Sequence, residues 1–297
     1  MSKAKTEKTA SECFLFCAIV AVLAIFAISL YMVIKGTPAI KKLGVSALLF
    51  NTVFKPTAEN SEYGIAYIIL ASLIATGFAV LLGVPIALFA AIFISEIAGP
   101  FLRSLLESVV ELLAAIPSVI YGLLGMMVLN PWMYKLEQWI FSNDPGHQFT
   151  GGANLLSGII VLAVMIMPTV FLVSLTSLQA VSKELKFASL ALGATKMQTI
   201  YHVIVPTARS GILTGVVLGI GRAMGEAMAI NMVAGGSINL PLPFNSVRTL
   251  TTQLVSEMAY ADGLHREVLF TIGLILYIFI MLINLLLLRM RKKEAKR

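Results

Sequence analysis

The stretch Ser182-Lys-Glu-Leu-Lys-Phe-Ala188-Ser189-Leu-Ala-Leu-Gly193-Ala194-Thr195-Lys-Met-Gln-Thr-Ile-Tyr-His-Val203-Ile-Val205-Pro206 decides how this chain is read. It is too long for a simple turn and too polar for a membrane interior, yet it stands between two apolar runs, 155–178 and 212–233. Ser182 is a good helix cap, and Glu184 falls in the first turn, where negative charge is favoured. Ala188, Ala191, Leu192 and Thr195 then recur at helical spacing. Gly193 offers a break or a tight turn, and a second run, 196–205, closes at Pro206. The segment 179–210 therefore reads as two short helices lying on one membrane face and joined at the glycine. A bland loop has no need of that organisation. A docking surface for a soluble partner does.

Working outward, the 297 residues are 58% hydrophobic and 12% charged. Soluble domains run at about 45–50% apolar and about 25% charged. The mean hydropathy is +0.91. Too little polar surface remains for a soluble enzyme, a disordered chain or a nucleic-acid-binding module. Apolar runs of roughly 20 residues mark membrane spans, and six are present: 14–34, 65–94, 109–129, 155–178, 212–233 and 268–288. The second is long enough to tilt or to project from the bilayer. The expectation is an all-α membrane protein with six transmembrane helices in a single domain, 1–297. Lys3, Lys5 and Lys8 precede the first run as they would in a signal peptide. That run exceeds the usual signal core of about 7–15 residues, so it reads as a retained anchor.

Orientation follows from Lys and Arg. Six spans put both termini on one side, which carries 14 of the 22 basic residues against 7 on the other, with Arg222 inside a span. Both termini are therefore expected in the cytoplasm, and the net charge of +7 reports orientation rather than nucleic-acid binding. On the outer side, the patch 43–54 reads as an interfacial helix. Trp132 and Tyr134 are interface anchors. Pro241 and Pro243 precede a helix-like stretch, 247–260. Cys13 and Cys17 read as small apolar side chains. His147, His202 and His265 are scattered, without metal-ligand spacing. No GxxxxGK[ST] phosphate loop occurs. If ATP powers this protein, another chain binds it.

Three prolines interrupt spans: Pro85, Pro117 and Pro168. Pro85 reads as a kink. Pro117 and Pro168 read as broken backbone, because a hydroxyl follows each, Ser118 and Thr169, and Tyr121 lies a turn beyond Ser118. Exposed carbonyls beside hydroxyls suit an anion path. In the fifth span, Gly215 with Gly219 and Gly221 with Gly225 are small-xxx-small pairs that allow close helix approach. Arg222 and Glu226, four apart and mid-span, would share a face. Ionisable groups at that depth are a functional hypothesis by default. Arg222 offers a planar donor fork to a tetrahedral oxyanion, and Glu226 would hold that fork when no anion is bound. The other reading is an ion pair that only fixes helix packing, though Ser or Asn would do that more cheaply. Glu107 reads as solvated. Glu111, a turn deeper, reads either as an Arg partner or as the edge of a vestibule.

These residues carry a resemblance. The polar segment resembles the coupling motif of ABC importer permeases, written EAA, three residues, G, nine residues, I-x-L-P. Ala188 and Ser189 stand at its alanines, Gly193 at its glycine, Val203 and Val205 at its aliphatics and Pro206 at its proline. Phe187 stands where the motif has glutamate. Glu111-Leu-Leu-Ala-Ala-Ile-Pro117-Ser118-Val-Ile-Tyr121-Gly122, Met167-Pro168-Thr169 and Gly221-Arg222-Ala-Met-Gly225-Glu226 resemble span signatures of phosphate importer permeases, of the PstC rather than the PstA type.

The resemblance implies a type I ABC importer permease fold in a bacterial or archaeal plasma (inner) membrane. It implies a PstA-like second permease subunit, two ATP-binding subunits, an extracytoplasmic phosphate-binding protein and no cofactor on this chain. Arg222, Glu226, Ser118, Tyr121 and Thr169 would line the substrate path. Ala188, Ser189, Gly193, Ala194, Thr195 and Pro206 would meet the ATPase. Sulfate or molybdate as cargo, an ATP-independent channel or secondary transporter, and a membrane sensor are the alternatives.

Overall fold

A computed structural model describes residues 3–58 and 60–294. Lys296 and Arg297 of the basic tail lie outside the described residues. Hydrocarbon offers backbone groups no partner, so a spanning chain satisfies them within helices, and helices build this fold. The first, α1 (Lys3–Leu43), has 41 residues. At 1.5 Å per residue it is roughly 60 Å long, about twice the thickness of a hydrocarbon core. Its C-terminal half packs on the last helix, which runs Gly263–Glu294. Thr271 donates its hydroxyl to the Gly36 carbonyl at 2.7 Å. A Cβ at Gly36 would sit 2.8 Å from Leu274 Cβ, so only glycine allows this approach.

The expected interfacial helix, 43–54, is shorter than its apolar patch. Gly44, at φ 82°, starts α2 (Val45–Phe50), and extended Asn51 ends it. A two-residue hairpin follows, β1 (Phe54–Lys55) on β2 (Glu62–Tyr63). Then α3 (Ala66–Ile92) runs through Pro85 without a break and ends in a π turn, Phe93–Ile97.

The third apolar run is interrupted. α4 (Pro100–Ala115) stops before Pro117, and α5 (Ser118–Leu124) leads through a π turn into α6 (Asn130–Ile140). The two arms meet at 94°. Glu107 of α4 accepts a hydrogen bond from Gln179 at 3.1 Å. Asn130 lies against Gly152, just before Leu155. Gln179 and Leu155 are the two ends of α7 (Leu155–Gln179), so the bent pair travels its full length. Among the described residues, five single helices are long and apolar enough to cross a membrane, and the bent pair makes a sixth. Glu107, expected to be solvated, instead joins Arg103 at 3.0 Å and Gln179.

α7 is the central post. It is the most buried span, with α3 and α10 (Val205–Gly225) as its main neighbours. Gly83 of α3 approaches so closely that a Cβ would sit 2.8 Å from the Ala163 carbonyl oxygen. Gly215 and Gly219 of α10 do the same toward Val173 and Val170. Gly211, one turn earlier, extends that stripe against Ser177. Gly221 and Gly225 face open space, so the second small-xxx-small pair packs nothing here. Pro168 does not break α7, contrary to the expectation. Neighbours on several sides hold the helix, which is how membrane proteins tolerate a proline.

Between α7 and α10 lie α8 (Lys183–Ala191) and α9 (Lys196–Thr199). Gly193, at φ 86°, makes the turn that joins them. Thr195 caps α9 in a box with Gln198. Pro206 does not end this helix. A π turn, Ile200–Ile204, carries α9 straight into α10, so Pro206 lies within one continuous helix, just after the widened turn. The fifth span ends early, at Gly225, and resumes as α11 (Met228–Val233). The stretch 247–260 yields α12 (Leu250–Glu257), and the chain closes with α13 (Gly263–Glu294).

Candidate functional site

Thr169 lies 14 residues from the start of α7 and 10 from its end, so it is near mid-depth, about 21 and 15 Å from the two ends. Arg222 stands in the last turn of α10. Its Nη1 donates to Thr169 Oγ1 at 2.9 Å. Both residues are half-buried. Among the described residues Thr169 is the sole hydrogen-bond partner of Arg222, and no carboxylate lies within ion-pair distance of it. A guanidinium has five N–H donors, so most of its fork remains available.

Glu226 does not hold that fork. The helix stops one residue before it, and its backbone is extended (φ −75°, ψ 123°). Four-residue spacing places two side chains on one face only while the helix continues. Instead Glu226 Oε1 accepts the Ala229 N–H at 2.9 Å, capping α11. The Glu226 carbonyl accepts the Thr251 hydroxyl at 2.7 Å.

Tyr121 is buried at the elbow of the broken third span. Its hydroxyl donates to the Leu113 carbonyl at 2.7 Å, across the break. It packs in one cluster with Ala229 and Val233 of α11 and Val161 and Met165 of α7. Gly122 brings α5 so close to α11 that a Cβ there would sit 2.8 Å from Ala229 Cα. The half-helices beyond the two breaks therefore pack on one another. Tyr121 shares a cavity with Met167 and Pro168 of α7, the residues that lead into Thr169. Ser118 opens α5 and is half-buried. The structure thus gathers Thr169, Arg222 and Tyr121, sets Ser118 on the rim of the elbow, and turns Glu226 to backbone capping.

The polar segment that follows α7 is a second region, at the Gln179 end of that helix. α8 contributes no buried residue. Ser189 and Thr199 share a hydroxyl hydrogen bond at 3.0 Å. Gly193 turns the chain, Ala194 N–H returns to the Ser189 carbonyl at 3.3 Å, and Thr195 caps α9. Ala188 is exposed, and Phe187 and Leu192 are 65% and 89% exposed.

Sequence reading missed three polar features. Lys186 donates to Glu96 at 2.6 Å, a contact between residues 90 positions apart that no local signal announces. Glu137, fully buried on α6, accepts hydrogen bonds from the Thr150 N–H at 3.0 Å and from His147 Nε2 at 2.9 Å. His147 was set aside as a scattered residue, because its partner lies on another element. Glu257 gathers Arg248, Gln253 and His265. The Thr195–Gln198 box, by contrast, is a legible T-x-x-Q signature. Among the described residues no cluster of His, Cys, Asp or Glu could hold a metal ion.

Residues 83–293 match the family model described as "Binding-protein-dependent transport system inner membrane component". The chain is 37% identical over 279 residues to the "Probable ABC transporter permease protein YqgH" of Bacillus subtilis, covering 91% of this chain and 87% of that one. It is 35% identical over 284 residues to the "Phosphate transport system permease protein PstC" of Haemophilus influenzae, covering 91% and 89%. Among solved structures, a chain of a bacterial alginate ABC transporter in complex with an alginate pentasaccharide-bound periplasmic protein superposes with a TM-score of 0.65 at 17% identity, over 97% of this chain and 96% of that one. A chain of the MetNI methionine ABC transporter gives 0.54 at 19%, over 78% and 94%. At such identities the likeness is one of fold, and the fold is the type I importer permease fold.

Proposed function

This chain belongs to the family of binding-protein-dependent transport system inner membrane components, and from that premise we propose that it is the PstC-like permease subunit of an ATP-driven importer of inorganic phosphate. One observation carries the choice of an anion. Arg222 sits at mid-depth with Thr169 as its hydrogen-bond partner and no carboxylate beside it. A cation in hydrocarbon is costly, and a passing oxyanion would relieve that cost while filling the donor fork. Relatives named as phosphate permeases at 32–35% identity support phosphate over other anions.

The chain forms a single transmembrane domain and does no covalent chemistry. It completes the path with a second, PstA-like permease subunit. Two ATP-binding subunits dock on α8 and the Gly193 turn, and an extracytoplasmic binding protein delivers phosphate. Both termini are cytoplasmic, in keeping with the distribution of Lys and Arg. No cofactor is held by this chain. Transport is alternating access: rigid-body rearrangement opens the Arg222 region first outward, then inward. Arg222, Thr169 and Tyr121 line the path, with Ser118 at its rim. Glu226 contributes by holding α11 in place.

The test is uptake into proteoliposomes containing this chain, its partner permease and the ATPase subunits, with delivery protein outside and ATP inside. Phosphate, sulfate and molybdate are compared. Uptake of phosphate alone, dependent on ATP, is expected. Flux without ATP would place the protein among channels or secondary transporters. Uptake of another oxyanion instead would discard the cargo and keep the architecture.

A further inference from the structure

Because α8 buries no residue, apolar core packing does not secure it to the spans. Among the described residues, two side-chain contacts tie it to neighbouring elements. Lys186 Nζ donates to Glu96 Oε1 at 2.6 Å, and the Ser189 and Thr199 hydroxyls lie 3.0 Å apart. Lys186 and Glu96 side chains are only 23% and 10% exposed. The Ser95 hydroxyl donates to the same carboxylate oxygen at 2.8 Å. A fully exposed pair of this kind would be worth little. This one is largely shielded from water, where attraction is screened less.

The two contacts lead to different places. Glu96 lies in the π turn that ends α3. α3 is locked on α7 through the close approach at Gly83, and α7 carries Thr169. Thr199 belongs to α9, which is continuous with α10, and α10 carries Arg222. α8 is thus connected by separate routes to the two residues whose contact forms the mid-membrane site.

We propose that Lys186 is a positioning residue for transport: its ion pair with Glu96 carries displacement of α8 into α3 and α7, and so shifts Thr169 relative to Arg222. The inference rests on the reading that ATPase subunits act on α8. It also gives the segment a function that does not need the motif glutamate replaced by Phe187, because the internal tie is made by the neighbouring side chain.

The experiment compares wild type, K186E, E96K and the charge-swapped double variant in the complete assembly. Phosphate uptake and ATP hydrolysis are measured together in proteoliposomes. Hydrogen exchange of residues 183–191 is measured in the purified assembly. Each single variant is expected to lower phosphate moved per ATP hydrolysed by about tenfold or more, as breaking a shielded ion pair leaves a charge unpaired. The double variant is expected to recover most of that ratio. Exchange in α8 is expected to quicken in both single variants and to return toward wild type in the double. An unchanged ratio, a parallel fall of uptake and hydrolysis, or a double variant no better than the singles overturns the proposal. If wild type moves no phosphate, the cargo reading fails by itself, and exchange still decides the tie: quickening with recovery supports it, and unchanged exchange overturns it.

Discussion

The third and fifth spans are both interrupted at the level of the candidate site, and they break in different ways. In the third, Pro117 lacks an N–H and forces Ile116 into extended backbone (ψ 126°). The carbonyl left at Leu113 is taken by Tyr121, eight residues on, within the same span. At the fifth's break there is no proline. The helix stops at Gly225, and the Glu226 carbonyl is taken by Thr251, from α12, 25 residues away. One break is self-contained. The other is held by a segment that folds back from the loop beyond α11. A gap inside the bilayer thus requires a hydroxyl partner in either case. What differs is whether the surrounding loops have a say in its geometry, and Arg222 is on the span where they do.

The sharpest way to break this comparison is Arg222→Ala. It should cut phosphate uptake about 100-fold, the effect of losing charge-assisted hydrogen bonds worth about 2–3 kcal/mol. Co-purification with the partner subunits should be unchanged, and loss of assembly would mean that Arg222 only fixes packing. Next come the two carbonyl partners. Thr251→Val leaves the half-buried Glu226 carbonyl without its partner, at about 1–3 kcal/mol, whereas Tyr121→Phe leaves the Leu113 carbonyl its 3.3 Å bond from the Ile116 N–H and should cost less; both are read as lower thermal stability of the purified assembly. Both should lower uptake, since Tyr121 lines the proposed path, but Thr251→Val more, because its break directly follows the turn that carries Arg222. If Tyr121→Phe alters it equally, the two breaks form one unit.

Smaller again is Glu226→Gln. The amide oxygen can still accept from Ala229, so uptake should stay within about threefold of wild type, whereas Glu226→Ala should cost about 1 kcal/mol as a lost cap. The smallest contrast is between glycines. Gly221→Ala meets nothing within 4 Å and should be neutral or stabilising by up to about 1 kcal/mol in a helix. Gly219→Ala would place its Cβ 2.8 Å from Val170 and should destabilise by about 1–3 kcal/mol. Both are read as shifts in melting temperature.

The same two breaks show what the sequence could convey. Pro117 is legible because a missing donor is a property of one residue. The stop at Gly225 is not, since glycine is tolerated inside membrane helices and the partner that stabilises the stop, Thr251, is remote. Arg222 stood out through the cost of a charge at depth, but its contact with Thr169 spans 53 positions and had only been approached through the neighbouring Pro168. Glu226 was misassigned by assuming that the helix continued. Pro168 misled in the opposite direction: its neighbours in the packed centre of the bundle preserve a helix that local chemistry would break. That the chain is built of long apolar spans is legible, because hydrocarbon thickness sets their length and apolarity directly, while the 94° bend in the third and the early stop of the fifth are not.

α8 has a consequence for inheritance as well as for motion. Its outward side chains, Phe187 and Leu192 among them, carry no folding duty, so substitutions there escape the purge that removes core-damaging changes. On the reading that ATP-binding subunits dock there, substitutions on that face would change which partner is recognised and leave the membrane bundle intact, whereas changes at Lys186, Ser189 or the Gly193 turn would reach it.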